Sequence, residues 1–211
     1  MIKRHLQSVL KESADFFPVI ILTGPRQSGK TTLAKATFKK AHYVSLEEPA
    51  QRNLATEDPR GFLNQFGTEQ VVLDEVQRVP DLFSYIQVLV DENDIAGQYI
   101  LTGSQNFLLL ESISQSLAGR CAIHHLLPFS YSELLKRKAV DPEKITQLQR
   151  RSVDPGKSSQ LFDVLWTGGY PRIHDKHIPP QRWLANYIQT YIERDVRSIV
   201  NVRDLDTFTR F

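Results

Sequence analysis

The fold class this sequence predicts is an α/β sandwich of three layers on a parallel sheet, with a small helical region at the C-terminal end. Three observations predict it. Short apolar runs at residues 19–22, 71–73 and 99–101 have the composition of buried strands. Helical patterns separate these runs, as parallel pairing requires. Polar residues gather directly after each run, where doubly wound sheets bind ligands.

Each element follows in order. Residues 2–17 read as an amphipathic helix, with Ile2, Leu6, Val9 and Leu10 at helical spacing, and Pro18 ends it. The first strand, Val19, Ile20, Ile21 and Leu22, runs straight into Gly24-Pro25-Arg26-Gln27-Ser28-Gly29-Lys30-Thr31, and a helix continues through Thr32 and Leu33. Tyr43 to Leu46 makes a second strand, closed by Glu47-Glu48-Pro49. Asp58-Pro59 opens a short helix to Phe66. Residues 70–75, QVVLDE, form an acidic-tipped strand; residues 81–93 form a helix, and residues 98–105, QYILTGSQ, a polar-tipped strand. A helix over 106–118 and an apolar strand over 121–127 complete the sheet. Ser130 and Glu133 make a capping box for a helix over 130–138.

Composition then changes. Residues 139–159 are polar, carry Pro142, Pro155 and Gly156, and read as a hinge. The expected division is therefore a core over 1–138, a linker over 139–159 and a helical appendage over 160–211. The appendage holds a helix near 161–165, a tight Gly168-Gly169-Tyr170-Pro171 turn, a long helix over 181–200 with a Glu193/Arg197 pair, and a last helix that has just begun.

Composition excludes several classes. Among 211 residues, 41% are hydrophobic and 24% charged, ordinary for a globular protein. A net charge of +2 selects no polyanionic partner, and the basic clusters at Lys136-Arg137-Lys138 and Arg150-Arg151 lack interleaved aromatics. One cysteine, Cys121, rules out an internal disulfide and a cysteine-cluster metal site. No signal peptide and no membrane span is legible, so the expected location is cytoplasmic.

Chemistry concentrates in four places. The stretch from Gly24 to Thr31 fits G-x-x-x-x-G-K-[ST]. Its glycines let backbone N–H groups wrap a phosphate, and the helix start adds unpaired N–H groups. Gly24, Pro25, Arg26, Gln27, Ser28, Gly29, Lys30, Thr31 and Thr32 are the expected nucleotide contacts, with Lys30 reaching the β- and γ-phosphates. Asp74 ends an apolar strand, where an acid is costly without a cation or donors. Asp74 and Thr31 are the expected Mg²⁺ ligands, and Glu75 the general base toward an attacking water. Ser104, with Thr102 and Gln105 as substitutes, is placed to touch both γ-phosphate and water; a plain helix N-cap is the competing reading. Arg120, between a glycine-ended helix and a strand, reads equally as a γ-phosphate contact in its own or a neighbouring subunit and as a complement to the helix dipole.

These motifs resemble a family. GPRQSGKTTL, VVLDEVQRVPDLF, ILTGSQ, SLAGR, LLPFSYSEL, GGYPR and YIERDV, in this order, are similar to the prokaryotic predicted ATPases of the AAA+ superfamily. The resemblance runs over nearly the whole chain. It implies sheet order 5-1-4-3-2, ATP and Mg²⁺ as ligands, Ser104 as the sensor at the strand tip and Arg120 as an arginine finger. It also makes Arg172, in the GGYPR turn, a candidate second sensor. Family members continue into C-terminal domains where this sequence stops, so nucleic-acid or protein partners are expected there, with a homo-oligomer as a further option. The expected function is Mg²⁺-dependent ATP hydrolysis; the alternative is a nucleotide-dependent switch with little hydrolysis.

Overall fold

The computed structural model describes residues 2–104, 116–138 and 158–191. The chain divides into two compact units, Ile2–Lys138 and Ala139–Phe211.

The first unit is built on a five-stranded parallel sheet: β1 (Val19–Thr23), β2 (His42–Ser45), β3 (Val71–Asp74), β4 (Tyr99–Thr102) and β5 (Cys121–His125). The spatial order is β2-β3-β4-β1-β5. This is the expected order, read from the other edge. Alternation along the strands makes the three layers. Val19, Ile21, Val71, Leu73, Tyr99 and Leu101 face one side and pack with Ala55 of α3 (Pro49–Glu57), Phe62 of α4 (Pro59–Asn64) and Phe83 and Ile86 of α5 (Leu82–Asn93). Ile20, Leu22, Val72 and Ile100 face the other side, against Leu10 of α1 (Leu6–Ala14) and Leu33 and Ala34 of α2 (Lys30–Thr37). Because β1, β3 and β4 are buried on both faces, they read as unbroken apolar runs.

Register brings the informative tips together. Leu22 lies opposite Thr102, Leu73 opposite Leu101, and Ser45 opposite Asp74. The phosphate-loop sequence, the acidic pair and the polar strand tip therefore share the carboxyl edge of the sheet.

Local departures have local causes. The first helix begins at Leu6 rather than Ile2, because the His5 N–H donates to Glu133 Oε1 at 2.8 Å instead of entering a helix. A helix at Pro49–Glu57 stands where the sequence reading closed a strand; Pro49 occupies its first turn. Asp58 caps α4 as expected, accepting from the Gly61 N–H at 2.9 Å. The Ser130/Glu133 capping box is present, but α6 (Tyr131–Leu134) lasts one turn. Lys136 adopts φ 54°, and the Arg137 N–H turns back to the Ser132 carbonyl at 2.8 Å. Of the helix expected over 106–118 only 116–118 are described, with Ser116 helical. Of the hinge expected over 139–159, residues 139–157 with Arg150 and Arg151 lie outside the described residues, while Ser158 and Ser159 open a helix; the Glu193/Arg197 pair also lies outside.

In the second unit the described residues form α7 (Ser158–Thr167), α8 (Pro171–Lys176) and α9 (Pro180–Tyr191). Trp183 stacks on Tyr187 with ring centroids 4.9 Å apart, and Tyr170 packs on both rings. The expected turn is also a helix start: Pro171 occupies the first turn of α8, and Gly168 supplies a left-handed φ of 72° just before it.

Candidate active site

The loop between β1 and α2 needs both glycines. Gly24 sits at φ 146°, and a Cβ there would run into the Leu126 carbonyl. Gly29 sits at φ 95° and opens α2, while Gln27 between them also takes a positive φ of 61°. The Lys30 side chain turns back into this loop, donating to the Gly24 carbonyl at 3.1 Å and the Pro25 carbonyl at 2.9 Å. Lys30 is 5% exposed. Burial holds its ammonium below the ordinary value, against the pull of the Glu75 and Asp74 carboxylates, with Arg26 adding to the lowering. A cation held dry beside a ring of backbone dipoles suits a polyanion.

Asp74 is 5% exposed and meets hydroxyl donors. Thr31 Oγ1 lies 3.0 and 2.9 Å from its two carboxylate oxygens, Tyr43 donates at 2.8 Å, and Thr102 donates from the tip of β4. Burial first, then the bond to Asp74, pushes the Tyr43 phenol up to about 12, so it stays a donor. Lys35 stands 3.3 Å from the centroid of the same ring.

The donor set fits Mg²⁺. Thr31 and Asp74 present adjacent hard oxygens, and Mg²⁺ commonly takes one carboxylate and completes its shell with phosphate oxygens and water. No cluster of three or more His, Cys, Asp or Glu side chains among the described residues forms a self-sufficient metal cage.

Glu75 follows in a left-handed conformation, φ 60° and ψ 45°. This turn separates its side chain from the strand direction that carries Asp74. Burial pushes its carboxyl up; the Gln77 amide, donating at 2.5 Å, and the Lys30 charge oppose that push, while the Asp74 and Glu47 charges add to it. Ser104 Oγ is buried without a hydrogen-bond partner among the described residues, as is Ser28 Oγ in the loop. Thr102, named as a substitute for Ser104, is the β4-tip hydroxyl that engages Asp74. Gln105 lies outside the described residues.

Arg120 is placed elsewhere. It immediately precedes β5, and its carbonyl accepts from the Val19 N–H at 3.3 Å, at the start of β1. The loop leaves the other end of β1, five residues on, roughly 16 Å away at ordinary strand rise. Contact between Arg120 and the γ-phosphate of its own subunit, one of the two expected options, would have to span the length of that strand. Its guanidinium pairs with Asp91 of α5 at 2.5 and 2.8 Å and donates to the Ala118 carbonyl at 3.1 Å. Arg172 is the second residue of α8 and exposed.

Two residues at the site carried no sequence signal. Tyr43 reads as strand packing, and Gln77 as a turn residue; both act through contacts to the acidic pair that only the fold creates.

Comparisons with known proteins agree with this geometry. A family model described as an AAA domain matches residues 17–135. A domain of unknown function matches residues 158–211. An uncharacterized protein of Mycobacterium tuberculosis is 29% identical over 202 residues, covering 93% of this chain and 40% of its own length. An uncharacterized protein of Methanocaldococcus jannaschii is 26% identical over 200 residues, covering 88% of this chain and 44% of its own length. The chain thus spans about two fifths of the length of these curated relatives. Among solved structures, the Walker-type ATPase of Pyrococcus abyssi is similar in fold, with a TM-score of 0.54 at 15% identity over 93% of this chain and 77% of that one. No helix among the described residues is long and apolar enough to cross a membrane. With the family model covering more than half of its residues, and a five-stranded parallel sheet carrying the phosphate loop, the chain belongs to the AAA domain family and has the fold of an AAA-type P-loop ATPase.

Proposed function

We propose that this chain binds Mg²⁺-ATP and hydrolyses it by in-line attack of water on the γ-phosphorus. The observation that carries the reading is the divergence of two adjacent acids: Asp74 is held against Thr31, while Glu75 turns away on a left-handed residue beside the Lys30 charge.

The loop from Gly24 to Thr32 binds the phosphates, and Lys30 exchanges its loop carbonyls for phosphate oxygens. Thr31 and Asp74 hold Mg²⁺, which neutralises charge on the phosphates when bound. Glu75 takes a proton from water as the water oxygen bonds to phosphorus, and the bond to the ADP oxygen breaks. Ser104, whose buried hydroxyl has no partner among the described residues, orients that water or a γ-phosphate oxygen. Arg120 acts, in this reading, on the nucleotide of a second copy, because its own loop lies a strand length away. Residues 1–138 are the catalytic core, the stretch after it is a linker that ends before α7, and the residues from α7 onward are a helical appendage carrying Arg172, the candidate second sensor. The protein acts in the cytoplasm, with nucleic acid or protein as its partner and a homo-oligomer as a further option.

A second reading has its own observation. The Gln77 amide holds a Glu75 oxygen at 2.5 Å, which favours a nucleotide-dependent switch whose hydrolysis is slow. Phosphate release by the wild type and by Glu75→Gln, with nucleotide binding measured alongside, separates the two. A base of this kind contributes about 10²- to 10⁴-fold. Hydrolysis by the wild type and a loss of that size in a variant that still binds supports the ATPase. Binding by both without hydrolysis by either supports the switch. Specific activity that rises with protein concentration, and no longer does so in Arg120→Ala, supports action between copies.

A further inference from the structure

Residues 2–4 run ahead of α1 without helical structure, and Arg4 anchors them to the core. Its side chain is only 10% exposed. The guanidinium donates in several directions. Nε meets Glu133 Oε1 at 3.1 Å, and one terminal nitrogen meets the Ser28 carbonyl at 2.9 Å. The other terminal nitrogen meets the Leu127 carbonyl at 2.5 Å and the Pro128 carbonyl at 3.4 Å. The guanidinium carbon also stands 4.7 Å from the centroid of the Phe129 ring. Glu133 is equally engaged: its Oε1 accepts from the His5 N–H at 2.8 Å and its Oε2 from the Ser130 N–H at 2.9 Å.

A structural ion pair would explain Arg4 and Glu133, but not the reach to Ser28. That carbonyl belongs to the phosphate loop. It shares one peptide plane with the Gly29 N–H, and no peptide among the described residues is cis. In a trans peptide the C=O and N–H point to opposite sides. Drawing the Ser28 carbonyl toward Arg4 therefore sets the direction of the Gly29 N–H, at the residue that opens α2.

We propose that Arg4 is a positioning residue for the phosphate-binding loop: held by Glu133, it fixes the Ser28–Gly29 peptide plane so that the Gly29 N–H is aimed at the bound phosphates. For its ligand this rests on the nucleotide-binding reading above; for its geometry it does not. A lysine ammonium carries three donors on one nitrogen and does not reproduce the guanidinium's fixed, separated reach to Glu133, Ser28, Leu127 and Pro128.

The test uses Arg4→Lys and the milder Glu133→Gln. The first readout needs no nucleotide: amide hydrogen exchange across the ligand-free chain. Peptides covering residues 24–31 exchange faster in both variants by a larger factor than β3 and β4, which follow only the change in global stability. The second readout is the affinity for a non-hydrolysable ATP analogue with Mg²⁺, which falls about tenfold or more in Arg4→Lys. With ATP itself, KM rises more than kcat falls. Wild-type exchange at residues 24–31 in both variants overturns the proposal. So does loosening spread evenly through β3 and β4, which marks general packing. A wild type that binds no nucleotide removes the function proposed above, while the exchange rates still decide whether Arg4 holds the loop.

Discussion

Two glutamates of the core, one half-buried and one buried, meet opposite fates. Glu75, after β3, accepts from the neutral Gln77 amide, and burial pushes its carboxyl above the ordinary value. Glu133, at the start of α6, is also pushed up by burial, but the Ser130 and His5 N–H groups and the Arg4 guanidinium outweigh that and hold it below. Burial alone makes an acid reluctant to ionise; donors decide the sign. The comparison separates an acid built to stay charged from one poised to take a proton. The two also differ in backbone: Glu133 sits in a regular first turn, and Glu75 in a left-handed residue that a β-carbon disfavours.

The comparison is most sharply tested at Lys30, whose charge faces Glu75. Lys30→Ala weakens nucleotide binding by about ten- to a hundredfold, measured by calorimetric titration. Retained affinity would mean that the loop carbonyls, not phosphates, are the true partners of the ammonium.

Glu133→Gln should rank next, destabilising the core by about 1–3 kcal/mol at pH 7 in denaturant titrations, because an amide cannot accept from every donor that the carboxylate satisfies. The sign with pH follows from its lowered folded value. Glu133 contributes stability above the ordinary glutamate value of about 4.3, and that contribution is lost as pH falls through the lower folded value. The gap between wild type and variant therefore closes in acid.

Glu75→Gln moves the other way. Its folded value is raised, so stability falls as pH rises from the ordinary glutamate value of about 4.3 to the folded one, and the cost is complete above it. The variant is more stable than the wild type at pH 7.5, and the gain disappears below about pH 4, where the acid is protonated in both folded and unfolded chains. Loss of stability at pH 7.5 would put Glu75 in the same class as Glu133 and break the contrast.

The smallest effect is expected at the opposite edge of the sheet. Asp91→Asn removes the partner of Arg120 from an exposed pair, and such pairs contribute little. Thermal unfolding should be unchanged within error. A marked drop would show that the pair braces β5 against α5.

Much of the site was legible in the sequence because it is local. Gly24, Gly29, Lys30 and Thr31 lie in one uninterrupted loop and helix start, and the spacing alone sets the loop's conformation. Asp74 and Glu75 were legible because two acids ending an apolar run require an explanation. The strands were legible where both faces are buried; β2, exposed along its outer positions, was placed one residue late. The helix at Pro49–Glu57 was not, since Glu48-Pro49 serves a strand end as readily as a helix start.

What remained hidden depends on chain separation. Arg4 and Glu133 are 129 positions apart, Tyr43 and Asp74 are 31, and Arg120 and Asp91 are 29. A lone arginine or tyrosine carries no pattern of its own, because its partner is chosen by strand order and register. By itself the sequence determined the phosphate loop, the acidic strand tip and the sheet class, all set by residues in direct succession. Tertiary structure alone decided which hydroxyls engage Asp74, that the Gln77 amide meets Glu75, and that Arg120 stands a strand length from its own loop. The physical reason is that hydrogen-bond satisfaction and desolvation belong to neighbours in space, and parallel strand pairing brings those neighbours together from far along the chain.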